Sequence, residues 1–239
     1  MDEREFQTAD GQLVTAVTAA EMREIDRVAV EEFGVTLLQM MENAGRNLAW
    51  HVRQVAAGPI VVLAGSGGNG GGGLCSARHL ANRGKPVSVV LDRPPAQLEG
   101  AARTQYETLD AMGVPVENGV GALLDREADI VVDALVGYGL AGPLRGSAAT
   151  LVDAVADLDA TVVSLDVPSG LDATTGERPG SAVRPDRVVT LALPKTGLAA
   201  HPGELFLADI AIPAGVFRSL DLTYSNPFEE YWVRLTRLE

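Results

Sequence analysis

Pro59-Ile60-Val61-Val62-Leu63-Ala64-Gly65-Ser66-Gly67-Gly68-Asn69-Gly70-Gly71-Gly72-Gly73-Leu74-Cys75-Ser76-Ala77-Arg78-His79-Leu80 decides the fold. A β-branched run ends in glycine and is followed by a segment that keeps helical character, which reads as strand, loop, helix. Seven of the nine residues from Gly65 to Gly73 are glycine. Such a loop lets backbone N–H groups approach an anion, and the helix start adds the positive end of its dipole. The expected guest is a phosphate or pyrophosphate. The Gly65-x-Gly67-x-x-Gly70 spacing matches the minimal dinucleotide fingerprint, which so glycine-rich a run nearly guarantees, and a ligand-free turn also fits. No Lys-Ser or Lys-Thr follows, which argues against a P-loop NTPase.

Around this stretch the alternation is regular. Strand-like runs at 59–64, 86–91, 129–133, 161–166 and 187–193 are separated by helix-like or loop segments, the pattern of a mostly parallel α/β sheet. Leu205 to Ile212 is expected to add an edge strand. Before residue 58 the pattern is helical: Thr18 and Glu21 make a capping box for a helix running to about Phe33 and ended by Gly34. A second helix is expected over 36–57, with Met41, Ala44, Leu48, Val52 and Val55 on one stripe. A chain of 239 residues with 46% hydrophobic content can bury a full core, and one domain is expected.

The net charge of −13 argues against nucleic acid as a partner. The single cysteine, Cys75, gives neither a disulfide framework nor a metal cluster. The first residues carry no basic, apolar leader pattern, and no run of about 18 apolar residues offers a membrane span, so a cytoplasmic protein is expected. His51, His79 and His201 are dispersed, and none is read as catalytic.

In a parallel sheet the carboxyl ends of the strands share one edge, where open α/β folds bind ligands. Ile130-Val131-Val132-Asp133 and Val162-Val163-Ser164-Leu165-Asp166 both end in a carboxylate, so Asp133 and Asp166 are candidates for one site. Asp133 alone fits equally an N-cap for the helix expected near Arg145. Asp166 is less suited to capping, because Pro168 forces Val167 toward an extended conformation. Ser169 in Pro168-Ser169-Gly170 reads by itself as turn chemistry.

Taken in order, Met40-Met41-Glu42-Asn43-Ala44-Gly45, the glycine loop, Asp133-Ala134-Leu135-Val136-Gly137-Tyr138-Gly139-Leu140-Ala141-Gly142-Pro143, Asp166-Val167-Pro168-Ser169-Gly170-Leu171-Asp172 and Leu193-Pro194-Lys195-Thr196-Gly197-Leu198 resemble the successive motifs of the YjeF N-terminal domain family, the NAD(P)H-hydrate epimerases. The resemblance, running from about residue 15 to 213 with 214–239 as a C-terminal extension, implies a single Rossmann-like domain, a homodimer, that interconverts the C6 epimers of hydrated NADH or NADPH. It implies that Asn69, Asp133 and Ser169 ligate a potassium ion, an assignment consistent with their oxygen donors. It implies that Asp166 faces the hydrated nicotinamide, and that Gly68, Asn69, Gly70, Gly71 and Gly72, with Gly137, Tyr138, Gly139, Leu140, Ala141, Gly142 and Pro143, hold the phosphate and ring portions. Asp166 is the candidate general acid/base. Lys195 is a second polar candidate, but a lysine following a strand reads first as a solvated surface charge.

The loop departs from the family pattern Gly-x-Gly-Asn-Asn-Gly-Gly-Asp-Gly at two positions, Gly68 for Asn and Gly72 for Asp. Two alternatives therefore stand beside the epimerase: a same-fold lyase, hydratase or isomerase with another small substrate, and a non-catalytic nucleotide-binding or scaffold module. After Pro213, Phe217, Tyr224, Phe228, Tyr231 and Trp232 place five of the eleven aromatic residues in the last 23 positions. Docking onto the body or onto a second copy is expected there, with a lid over the site as the lesser reading.

Overall fold

The apolar runs of the sequence are buried on both faces, as central parallel strands require. A computed structural model describes residues 5–237. Strands β3 (Ile60–Ala64), β4 (Val87–Leu91), β6 (Ile130–Ala134), β7 (Thr161–Leu165), β8 (Arg187–Leu191) and β9 (Glu204–Ala208) are parallel, with the short β5 (Val116–Asn118) beside β4. Strands β1 (Glu5–Thr8), β2 (Leu13–Thr15) and β10 (Trp232–Arg237) extend them antiparallel, giving the order β2-β1-β10-β9-β8-β7-β6-β3-β4-β5.

Side-chain alternation sorts the core into layers. Ile60, Val62 and Ala64 of β3 pack with Leu48 and Val52 of α2 (Leu37–Val55), Leu74 and Leu80 of α3 (Gly68–Ala81), and Leu109 of α4 (Gly100–Ala111). Val61 and Leu63, on the opposite face, pack with Leu123 of α5 (Val120–Leu124) and Leu151 of α6 (Gly146–Val155). Beyond them Val188, Leu205 and Leu207 join Met22 and Ile25 of α1 (Ala19–Glu31) and Phe217 of α7 (Ala214–Ser219) in a third cluster. The sheet is thus covered on both sides, a three-layer α/β domain.

Most expected elements are present within a residue or two. The Thr18 capping box is formed in both directions: Thr18 N donates to Glu21 Oε2 at 2.7 Å and Glu21 N to Thr18 Oγ1 at 3.2 Å. Two expectations need correction. Strand β9 is not an edge, because β10 pairs along its other side, and the actual edges are β2 and β5. The segment before α1 is not only helical, since β1 and β2 precede it, too short to show a reliable period of two. The aromatic C-terminus docks onto the body, as expected: Trp232 begins a sheet strand, its ring 4.7 Å from Trp50 and 5.5 Å from Phe206, while Phe217 stacks on Tyr224 at 4.2 Å.

Candidate active site

The chain turns sharply after β7, and the turn aims a carboxylate. Asp166 has a left-handed backbone, φ 65°, a conformation that costs an L side chain energy and marks sites where the surrounding structure dictates it. Its N–H donates to the Val189 carbonyl at 2.7 Å, pinning the turn to β8. Its side chain is almost wholly buried, yet lines a cavity of about 580 Å³ at the carboxyl ends of the strands. That volume lies within the roughly 300–1,000 Å³ of small-molecule sites.

Three groups hold Asp166. The Tyr138 backbone N–H donates to Oδ2 at 3.0 Å, and Thr190 Oγ1 lies 3.5 Å from Oδ1. The third partner is Lys195, whose ammonium makes a close ion pair with Oδ1 and donates to the Leu191 carbonyl at 2.8 Å. The surface reading of Lys195 is corrected: the residue has no exposed area. It is carried inward because the segment after β8 forms a bridge to Val17, with Val17 N donating to Pro194 O at 2.9 Å and Thr196 N to Val17 O at 3.0 Å. A signal was present in the sequence, since Lys195 is the one charged residue between Leu191 and Ala200. A charge in so apolar a run is buried only when it is paired.

Asp133 ends β6 in a different environment. Its carboxylate is inaccessible and accepts from Ser164 Oγ at 2.7 Å, Ser169 N at 2.9 Å, Ser169 Oγ at 2.5 Å and Leu135 N at 3.4 Å. Burial raises its pKa from the ordinary value, against the pull of these bonds. It caps no helix, because α6 starts only at Gly146. Ser169 does more than shape its turn: its hydroxyl also receives the Val136 N–H at 2.9 Å, so it joins the β6 and β7 corners. Ser164 was not singled out in the sequence, although it lies opposite Asp133 in the strand register.

Asn69 reaches the same edge from α3. A Cβ at Gly137 would stand 3.1 Å from Asn69 Oδ1 and 2.8 Å from Asp166 Oδ2, so only glycine lets the β6 loop pass between the two. Asn69 Nδ2 is buried without a hydrogen-bond partner. The structure therefore places Asp133 against Ser169 and brings Asn69 and Asp166 both close to Gly137, next to Val136, which Ser169 holds. All three residues expected to bind a cation present oxygen, and the buried Asp133 has only neutral donors around it. That donor set fits a hard monovalent cation.

Helix α3 begins at Gly68 with no side-chain cap, and its first internal bond is Gly71 N to Gly67 O at 3.0 Å. The N–H groups ahead of Gly71 thus lack helical partners, as an anion site requires. Gly68 and Asn69 line the cavity, as do Gly137, Tyr138 and Gly139. Gly70, Gly71, Gly72 and the segment Leu140 to Pro143 do not. The reason for the glycines is packing: a Cβ would meet Gly65 O at 1.7 Å from Gly70, Met41 Cε at 2.6 Å from Gly71 and Leu165 Cδ2 at 2.8 Å from Gly72. Arg23, Asp26 and Arg93 line the cavity and were not anticipated. Arg93 is held by Asp92 through two bonds of 2.9 Å.

The histidines stay outside the cavity. Burial, with Arg187 nearby, lowers His51 to about 3 beneath the Trp50, Phe206 and Trp232 rings, and burial lowers His201 to about 4. Cys75, expected to belong to no cluster, has its sulfur within 4.8 Å of ligand atoms of Glu42 and His79. Arg78 bonds both Glu42 and Cys75, and burial pushes the Cys75 thiol up to about 12, so the group stands as a charge network.

The model of the family "YjeF-related protein N-terminus" matches residues 37–197. An "NAD(P)H-hydrate epimerase" of Dehalogenimonas lykanthroporepellens is 46% identical over 98% of both chains, and one of Rhodopirellula baltica is 34% identical over 86% of this chain and 88% of its own. A "Bifunctional NAD(P)H-hydrate repair enzyme Nnr" of Hyperthermus butylicus is 40% identical over 83% of this chain, which spans only 38% of that protein. The crystal structure of the yeast protein ynu0 superposes with a TM-score of 0.81 over 94% of this chain at 23% identity, a likeness of fold.

Proposed function

Because the chain belongs to the YjeF-related N-terminal family, we propose that it interconverts the C6 epimers of hydrated NADH and NADPH, with the buried Asp166–Lys195 pair as its proton-transferring centre. The observation that carries this reading is that pair, held at the carboxyl edge of the sheet and opening onto a cavity of about 580 Å³. The reacting carbon bears a hydroxyl beside a ring nitrogen. Protonating the hydroxyl lets the nitrogen lone pair expel water and leaves a planar iminium, and water returning to the other face gives the other epimer. Asp166 lines the cavity, and in this reading it exchanges a proton with that oxygen. Lys195 keeps the carboxylate oriented and supplies a second exchangeable proton to the pair.

The open N–H groups of α3 and the Arg23 and Arg93 guanidinium groups suit the pyrophosphate. Asn69, Asp133 and Ser169 would hold a potassium ion, which would neutralise the buried Asp133 and tie the strand-end loops together. A homodimer in the cytoplasm belongs to the same reading. Phe33, Leu37 and Leu38 are exposed where α1 meets α2 and offer apolar surface for a second copy. Among the described residues no helix is long and apolar enough to cross a membrane.

Incubating the protein with either hydrated epimer of NADH and following the epimer ratio by chromatography tests the reading. The ratio is expected to relax faster than in buffer alone. No acceleration in folded protein supplied with potassium would point instead to a different small substrate.

A further inference from the structure

Epimerisation through an iminium has a geometric demand: water leaves one face of a flat ring and returns to the other. A single carboxylate serves both faces only if the ring turns over within the cavity. Asp166 is immobilised by its left-handed backbone, the Tyr138 N–H and the Lys195 ammonium. A second group able to exchange a proton is therefore expected elsewhere in the same cavity.

Asp26 meets that description. It projects from α1, an element separate from the strand ends, and it lines the cavity. Its Oδ2 accepts the Tyr138 hydroxyl at 2.5 Å. Tyr138 is thus shared, its backbone N–H on Asp166 and its phenol on Asp26. Two charged groups act on Asp26: Lys195 after β8 favours its ionised form and Asp166 after β7 disfavours it, while Arg23, one turn earlier on α1, lines the same cavity and acts on Tyr138. Burial dominates and holds the Asp26 carboxyl above its ordinary pKa, although the Tyr138 bond and Lys195 pull the other way.

We propose that Asp26 is a second catalytic proton-exchange group of this site, serving the ring face that Asp166 does not reach, with Tyr138 as the positioning residue between them. The assignment rests on the epimerase reading. In one direction the Asp26 carboxyl gives its proton to the C6 hydroxyl and becomes a carboxylate. The C6–O bond breaks, water departs, and the nitrogen lone pair forms the C=N bond. A water on the other face then forms a new C6–O bond, the C=N electrons return to nitrogen, and the Asp166 carboxylate takes the proton released. One proton has moved from Asp26 to Asp166. The reverse reaction, or exchange with solvent, resets the pair.

The test compares wild type with Asp26→Asn, Asp26→Glu and Tyr138→Phe, with far-UV circular dichroism and melting curves as controls for folding. Asp26→Asn is expected to lower kcat on hydrated NADH by about 100-fold or more while KM changes little. Asp26→Glu is expected to recover part of the rate. Because Asp26 acts as an acid in one direction, the wild-type kcat for that direction falls as pH rises through its pKa. Tyr138→Phe removes a bond that lowers this pKa, so the falling limb is expected to move to higher pH. An Asp26→Asn protein with wild-type kcat, or a Tyr138→Phe protein with an unmoved limb, overturns the assignment while leaving the epimerase reading intact. A wild-type protein without epimerase activity overturns both.

Discussion

The carboxyl ends of β6 and β7 lie side by side in one sheet and each presents a buried aspartate, yet the two are built for opposite purposes. Asp133 stays within its strand and is braced by two serine hydroxyls and two backbone N–H groups, all neutral. Asp166 sits one residue past its strand, in a left-handed conformation, facing a cavity and bound to an ammonium. A carboxylate braced on both oxygens by neutral donors organises its surroundings. One with a single charged partner and an open side is free to exchange a proton. The difference arises from neighbours rather than from residue type, which is why two strand-end aspartates read alike in the sequence.

The largest effect is expected from Asp166→Asn, a loss of about 10²–10⁴-fold in epimerisation kcat. The same change strands the buried Lys195 ammonium, and removing one partner of such a pair costs about 3–5 kcal/mol, so chemical denaturation is expected to show a clear loss of stability as well. Asp133→Asn probes the other side of the comparison. An amide there turns two donor hydrogens toward groups that already donate, and a loss of about 1–3 kcal/mol in unfolding free energy is expected, with activity falling less than in Asp166→Asn. Equal activity losses in the two variants would erase the distinction between the two strand ends.

The two loop departures sharpen the comparison at smaller scale. Gly72 faces Leu165 in the packed layer, so Gly72→Asp buries a carboxylate there and is expected to lower the melting temperature. Gly68 is exposed on the cavity rim with nothing within 4 Å of a Cβ, so Gly68→Asn is expected to leave stability within about 0.5 kcal/mol and to change KM more than kcat. Melting curves and steady-state kinetics on both variants check this ordering.

Much of this was legible. The parallel strands announced themselves through β-branched runs, the Thr18 capping box through its spacing, and the shared edge through two strands ending in aspartate. The rest depends on contacts that no local pattern encodes. Lys195 is buried because a distant residue, Val17, pairs with its segment. Asp26 carries a trace of its role, since it adjoins Ile25 among the buried positions Met22, Val28 and Ala29 of α1, but its partner Tyr138 lies 112 residues away. The strands β1, β2 and β10 pair only with one another and with β9, and pairing between the two ends of a chain leaves no periodic signature.

The central claim is that chemistry belongs to the β7 end. The most direct test is the double variant Asp166→Asn/Lys195→Met, which removes both charges together and so avoids an unpaired one. Its rate of equilibrating the epimers of hydrated NADH is measured beside that of wild type, by chromatography, in protein of comparable melting temperature. The account predicts rapid equilibration by wild type and a rate near that of buffer alone for the double variant. Equilibration by the folded double variant at a rate close to wild type would contradict it.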